Sequence, residues 1–312
     1  MGAAGAAALL NCLPAAAGPS RVRVISGPAF GSAWRLVLPD SAAEAAARDR
    51  IQRVVGRVDA LMSPFREDSE VGRFNRRGFG ALSAQTAAVA QAALDLARDS
   101  AGAFDPTAAP LSRRFGFGPL AISAARPAGR FGDLALVDGV LRTTRPGLSL
   151  DLCGIAKGHA LDEIVRALDG LDFLLELGGE VVARGRHPAG RAWRIGIERP
   201  GTDRLQRIVE ADGRALATSG DAAQSYRVGG RRFSHVMDPR AGAPVDNGVA
   251  AVSVLAASGL RADGLATAAM VRGPEAARPL LRAHDASALF LLRRGEGLLE
   301  VPVNGFPSGR AA

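Results

Sequence analysis

Asp263 and Thr267 stand four residues apart in a segment with helical spacing, so their oxygens share one helix face and could meet one hard cation. Taken alone the pair is unspecific, because many helices carry an Asp and a Thr at that spacing. Lys157 is the one lysine among 39 basic residues, and it sits in Asp151-Leu152-Cys153-Gly154-Ile155-Ala156-Lys157-Gly158-His159, which reads as a glycine-flanked turn leading into a helix. Backbone N–H groups at a helix start attract anions, and a compact ammonium beside them suits phosphate. In Gly102-Ala103-Phe104-Asp105-Pro106-Thr107, Gly and Pro fix the backbone. Phe104 is then placed to stack on a planar ring, and Asp105 to accept that ring's hydrogen bonds. The plainer reading is an Asp-Pro turn. His235 lies in a polar loop, 233–242, where an imidazole is able to take a proton near neutral pH. Asp221 follows Thr218-Ser219-Gly220 upstream of it. The charged stretch 62–75 reads as a solvated loop.

These groups need elements to bring them together. Apolar alternation at 22–24 and 34–38 predicts opening strands, and Ser41 with Glu44 makes a capping box for a helix reaching Met62. Ile51, Val54, Val55, Val58, Leu61 and Met62 keep the 3.6 period. A second helix is expected over 83–99 with Ser83 as its cap, a third after Gly158, a fourth after Ser258, and a fifth from Pro274 to about Ala283. Strands are expected at 134–142, 173–184, 192–198, 205–211, 249–255 and 287–293. Without steady βαβ alternation the pattern is α+β with a largely antiparallel sheet.

The 312 residues are 47% hydrophobic and 22% charged, a folded globular composition. The net charge of +8 raises nucleic acid as a partner, but the arginines are scattered, their clusters are pairs such as Arg113-Arg114, and aromatics are 5%. Neither a basic stripe nor a stacking platform is present, so no nucleic-acid binding is expected. Two cysteines, Cys12 and Cys153, give no disulfide framework and no zinc spacing. No run reaches 18 apolar residues, so the protein is not expected to be an integral membrane protein. Residues 1–19 read as a weak or truncated export leader, or a disordered segment, ahead of one domain over 20–306 and a tail over 307–312. Periplasmic or cell-envelope action follows from the leader reading, with the cytoplasm as the alternative.

In order, five segments together resemble the ApbE family, the FAD:protein FMN transferases, from about residue 26 to 293. Met62-Ser63-Pro64-Phe65 and Gly72-Arg73-Phe74-Asn75 match an MSxY-like segment ending in SRFN, and GAFDPT is intact at 102–107. DLSGIAKG is matched at 151–158 with Cys153 at a small-residue position, and EIGGE by Glu176-Leu177-Gly178-Gly179-Glu180. Ser234 to Gly242 is similar to SHIIDPRTG, and 262–268 to ADALATA with Gly264 for alanine.

That resemblance implies a T-fold-like α+β core, FAD as substrate and Mg²⁺ as the required ion. By motif position the ion would be held by the Gly154 carbonyl, Asp263 and Thr267, with the Ala266 backbone nearby. FAD would be bound through Ala103, Phe104 and Asp105, with Asp151, Lys157 and the Met237 backbone. The family's Met-Gly-Thr falls on Phe30-Gly31-Ser32, where Phe30 replaces methionine and is still able to pack on a ring. The implied reaction moves FMN from FAD to a serine or threonine of an FMN-binding domain in an acceptor redox protein, and AMP leaves. His235 is the candidate base, with Asp221 and Asp263 as rivals. Hydrolysis of FAD to FMN and AMP, or flavin binding without turnover, are the alternatives. All of this requires the oxygens of residues 263 and 267 to lie against the turn at 154–157.

Overall fold

A computed structural model describes residues 22–40, 44–117, 130–222, 225–229, 231–295 and 297–311. The leader-like segment, Ser41 of the expected capping box and Gly118 lie outside the described residues.

An eight-stranded sheet forms the centre, in the spatial order Val22–Ala29, Ser32–Pro39, Phe173–Leu177, Glu180–Arg184, Ala215–Gly220, Val249–Ala256, Ser287–Arg294 and Gly297–Val303. Every neighbouring pair is antiparallel. Side chains alternate across a strand, and here they alternate between two cores. Leu36, Leu38, Leu175, Val182, Val252, Val254 and Phe290 face the helices. Val37, Leu174, Val181, Ala183, Ala251, Leu255, Leu289 and Leu291 face the other way, under Trp193 and under Ile195 and Val209 of a small second sheet. Both faces are covered, which is why 249–256 is an unbroken small and apolar run rather than a polar alternation, and why all of it is buried.

The helices are α1 (Glu44–Met62), α2 (Glu70–Arg77), α3 (Ala84–Asp99), α4 (Ala109–Arg114), α5 (Cys153–Ala167) and α6 (Gly259–Ala283). The expected α+β class and antiparallel sheet are present, and Ser83 caps α3 as its sequence predicts, accepting the Thr86 N–H. Several expectations need correction. The stretch read as a solvated loop contains α2, capped by Ser69 and ended by Gly78 at φ 76°. Its polar surface hid Val71 and Phe74, which are buried. The expected third helix begins at Cys153 instead of after Gly158. The stretches 134–142 and 173–184 are each a hairpin, not one strand. The expected tail is ordered at its end, where Arg310 pairs with Ile208 and extends the small sheet. The fourth and fifth helices run end to end as α6, broken at Gly273, where φ is 74° and Pro274 starts the second half.

Glycine acts as a spacer where α5 crosses α6 antiparallel. A methyl on Gly158 would stand 2.1 Å from the Gly259 carbonyl oxygen. Asp162 of α5 then accepts the N–H groups of Gly259 at 2.6 Å and Leu260 at 2.9 Å, so it caps α6 from the neighbouring helix. Gly264, which departs from the family's alanine, leaves room for Leu96 of α3, whose Cδ2 would be 2.6 Å from an added methyl. Gly158→Ala should therefore lower stability by about 1–3 kcal/mol through overpacking. Gly56→Ala, with nothing within 4 Å inside helix α1, should raise it by about 0.5–1 kcal/mol. Urea unfolding midpoints of the two variants check both signs.

Candidate active site

Each expected segment is fixed by a bond or contact that its motif residues make. Asn75 of α2 grips the chain before α5 in both directions: its Nδ2 donates to the Leu150 carbonyl at 2.9 Å and its Oδ1 accepts the Leu150 N–H at 2.7 Å. The Asp151 N–H donates to the Pro106 carbonyl at 2.7 Å, tying 102–107 to 151–158. Asp151 Oδ1 accepts the Cys153 N–H at 2.8 Å, which satisfies one orphan donor at the start of α5.

The oxygens of α6 lie against α5 as the resemblance requires. Gly158 N–H donates to Asp263 Oδ2 at 2.9 Å. In a regular helix that N–H belongs to the Gly154 carbonyl, so Asp263 is a second acceptor for it. One turn along, a methyl on Gly154 would be 3.3 Å from Thr267 Oγ1 and 3.3 Å from Phe104 Cε2. The Asp263 carboxylate and the Thr267 hydroxyl thus lie against successive turns of α5, and with the Gly154 carbonyl they are hard donors of the kind that suits Mg²⁺. Among the described residues no three His, Cys, Asp or Glu groups form a cage. Ala266 is buried beside Asp263.

Lys157 lies in the second turn of α5, not at a turn–helix junction, and its ammonium forms an ion pair with Glu180 and reaches the Gly178 carbonyl at 3.5 Å. Burial acts to lower its pKa, but the Glu180 and Asp263 carboxylates more than offset this and hold it above an ordinary lysine. Burial pushes Glu180 up and Lys157 pulls it back. Burial likewise raises Asp263, with Lys157 and the Gly158 N–H opposing. Solvent reaches Cys153, yet protein crowds it on its other sides. That crowding, then the Asp151 charge, holds its thiol well above the usual range. A nucleophilic cysteine has the opposite shift.

Phe104 is corrected in one respect. It is 3% exposed and packs on Gly154, so its ring offers no open face for stacking. The Asp105 carboxylate is engaged too: Oδ1 accepts the Thr107 N–H at 2.8 Å and its hydroxyl at 2.7 Å, and Oδ2 accepts the Phe131 N–H at 3.2 Å. Burial raises its pKa and the Thr107 hydroxyl opposes this. These two side chains shape the turn. Phe30 is half-buried at a tight turn with φ 50°, and Ser32 beside it lies 3.8 Å from a methyl built on Gly178. Ala103 is buried.

Ser234 Oγ accepts the Val236 N–H at 3.0 Å, a turn that presents His235 half-buried with its ring edge toward Phe117. Met237 is buried with Leu111 and Phe117. The loop returns to the site through Arg240, whose Cγ is 3.8 Å from a methyl built on Gly102. Asp221, the rival base, is buried and ion-paired to Arg293 at 2.5 Å. Sequence reasoning missed Asn75, Asp162 and Glu180 as organising groups. The Glu-Leu-Gly-Gly-Glu stretch was the signal for Glu180.

The fold and these groups define a class: an α+β unit with oxygen donors at a crossing of two helices and a lysine held alongside. The chain belongs to the ApbE family, whose model matches residues 30–290. It is 34% identical to the FAD:protein FMN transferase of Vibrio cholerae over 90% of this chain and 91% of that one. It is 32% identical to that of Klebsiella pneumoniae over 94% and 92%. Among solved structures, the Pseudomonas stutzeri flavinyl transferase ApbE superposes with TM-score 0.81 at 36% identity, covering 92% of this chain and 96% of that one. The Vibrio cholerae flavin transferase gives 0.82 at 33%, covering 92% and 99%.

His159 of α5, next to the site, is held neutral at about 4 by burial, with Arg166 adding to the effect. Its Nε2 is 2.9 Å from Gln85 Nε2, an amide donor. The unfolded chain takes up this proton near pH 6.5 and the folded one only near 4, so stability is full above 6.5 and falls as pH drops between these values. His159→Gln should flatten that slope in urea midpoints measured from pH 7 to 4. His187, lowered in the same direction by burial, keeps part of it.

Proposed function

We propose that this protein is a FAD:protein FMN transferase acting on a serine or threonine of an FMN-binding domain in an acceptor redox protein. The observation that carries the reading is the meeting of Asp263, Thr267 and Gly154 beside Lys157, in a chain alike over nine-tenths of its length to transferases of that name.

The acceptor hydroxyl oxygen forms a bond to the FMN phosphorus of FAD, the bond from that phosphorus to the bridging oxygen breaks, and AMP leaves with that oxygen. The hydroxyl proton goes to His235. Asp221 is committed to Arg293, which supports the histidine over this rival. Asp263 is committed to the Gly158 N–H and is better suited to hold a metal than to remove a proton. Asp263, Thr267 and the Gly154 carbonyl, with the Ala266 backbone, would hold Mg²⁺, which when bound neutralises charge on the pyrophosphate. Lys157 adds a fixed positive charge, and Asp151 and the 103–105 and 237 backbones line the FAD side. The Asp105 and Phe104 side chains hold that turn in shape. Action at the cell envelope is part of the proposal, supported by the apolar run before residue 20.

Incubation with FAD, Mg²⁺ and an FMN-binding domain bearing an acceptor threonine tests it. The acceptor should gain the mass of an esterified FMN. Free FMN with an unlabelled acceptor would favour hydrolysis instead. Asp263→Ala should cut AMP release by about a hundredfold or more, since one preorganised charge group contributes at that scale. Chelation with EDTA should do the same to the wild type, reversed by Mg²⁺. An unchanged rate in either case removes the metal from the mechanism.

A further inference from the structure

The hairpin joining Phe173–Leu177 to Glu180–Arg184 has two loop residues, Gly178 at φ 63° and Gly179 at φ 105°. A left-handed pair of this kind is the tight turn that glycine permits, and it fixes where the next side chain emerges. Glu180 pairs with Leu177, and both lie on the sheet face that carries Val182 toward α5. The same turn places two acceptors around one ammonium: Glu180 Oε1 in ion-pair contact and the Gly178 carbonyl at 3.5 Å from Lys157 Nζ. The turn is itself anchored, since Gly178 N–H donates to the Ala33 carbonyl at 3.1 Å.

Glu180 is 1% exposed, whereas the Lys157 side chain is about a third exposed. Its second oxygen, Oε2, is buried with no hydrogen-bond partner among the described residues. As a stabilising device this is a poor arrangement, because a buried ion pair with an unsatisfied oxygen does no better than an apolar pair of the same size. The arrangement makes sense if the ammonium's position matters. An ammonium has three donors, and these two acceptors leave the third for a ligand.

We propose that Glu180 is a positioning residue: through the two-glycine turn it fixes the Lys157 ammonium at the site's edge, aimed at a phosphate of the bound dinucleotide. This rests on the transferase reading for the identity of the ligand, but not for the Glu180–Lys157 coupling. The role belongs to a carboxylate at this register, since a neutral side chain there no longer holds the charge in place.

The chain's single lysine makes the coupling directly readable. Protein grown with ¹³C-lysine shows one lysine side-chain signal, and its titration should move to lower pH by about one unit or more in Glu180→Gln. Identical titration in wild type and variant overturns the proposal. FAD binding, followed by quenching of flavin fluorescence with Mg²⁺ present, gives the functional arm. Glu180→Gln should weaken it about tenfold, a loss of the size expected for one misplaced charged contact, with Glu180→Asp recovering part of it. In a Lys157→Met background, Glu180→Gln should change affinity less than about twofold, because the group it acts through is gone. Equal losses in both backgrounds would show that Glu180 acts independently of the lysine and would overturn the proposal. If Lys157→Met fails to fold with Glu180 left unpaired, the double variant, which has neither charge, supplies the reference against Glu180→Gln alone. Wild-type protein that binds no FAD would fail the transferase reading, while the lysine signal would still decide the coupling.

Discussion

The approach of α5 to α6 at glycine is the constraint on which the site depends. With hydrogens where side chains would otherwise stand, Gly158 and Gly259 let two backbones close to a distance that no other residue tolerates. At that distance Asp263 accepts the Gly158 N–H, and Thr267 comes over Gly154. A donor set assembled from two helices is stiff, because neither helix is able to turn without breaking the Asp162 cap or the Asp263 bond. Stiffness of this kind suits group transfer between phosphates, where the protein's contribution is position and charge rather than covalent chemistry.

Around that crossing, conspicuous motif residues hold other motif residues. Asn75 clamps Leu150, Asp105 holds Thr107 and Phe131, Asp151 caps Cys153, and Glu180 grips Lys157. This agrees with a site for a large polyanion. N–H groups and a fixed cation recognise phosphate without bulky contacts, and a buried network that is largely satisfied keeps them from relaxing.

The electrostatics are uneven by design of the fold. Two buried carboxylates, Asp263 and Glu180, share the influence of one ammonium, which opposes the upward push that burial exerts on both.

Much was legible in the residues alone. Periodicity located α1, α3, the α6 segments and most strands, because core faces must be apolar at the period of their element. The i, i+4 spacing of Asp263 and Thr267 placed both oxygens on one face, because helix geometry leaves no choice. Ordered motif residues identified the family. Other features were decided only in three dimensions. Helix α2 looked like solvated loop because its short buried face is outnumbered by charge. The start of α5 was misread because Gly154 and Gly158 look like breakers until the partner helix that needs their bareness is present. That Asp105 holds Phe131 and that Phe104 is buried against Gly154 were not legible either, because those partners lie on other segments. The partner of Lys157 lies 23 residues away on another element. Local sequence sets periods and turns, but which charge meets which, and which ring is covered, depends on contacts between segments far apart in the chain, and these exist only once the sheet and the helix crossing have formed.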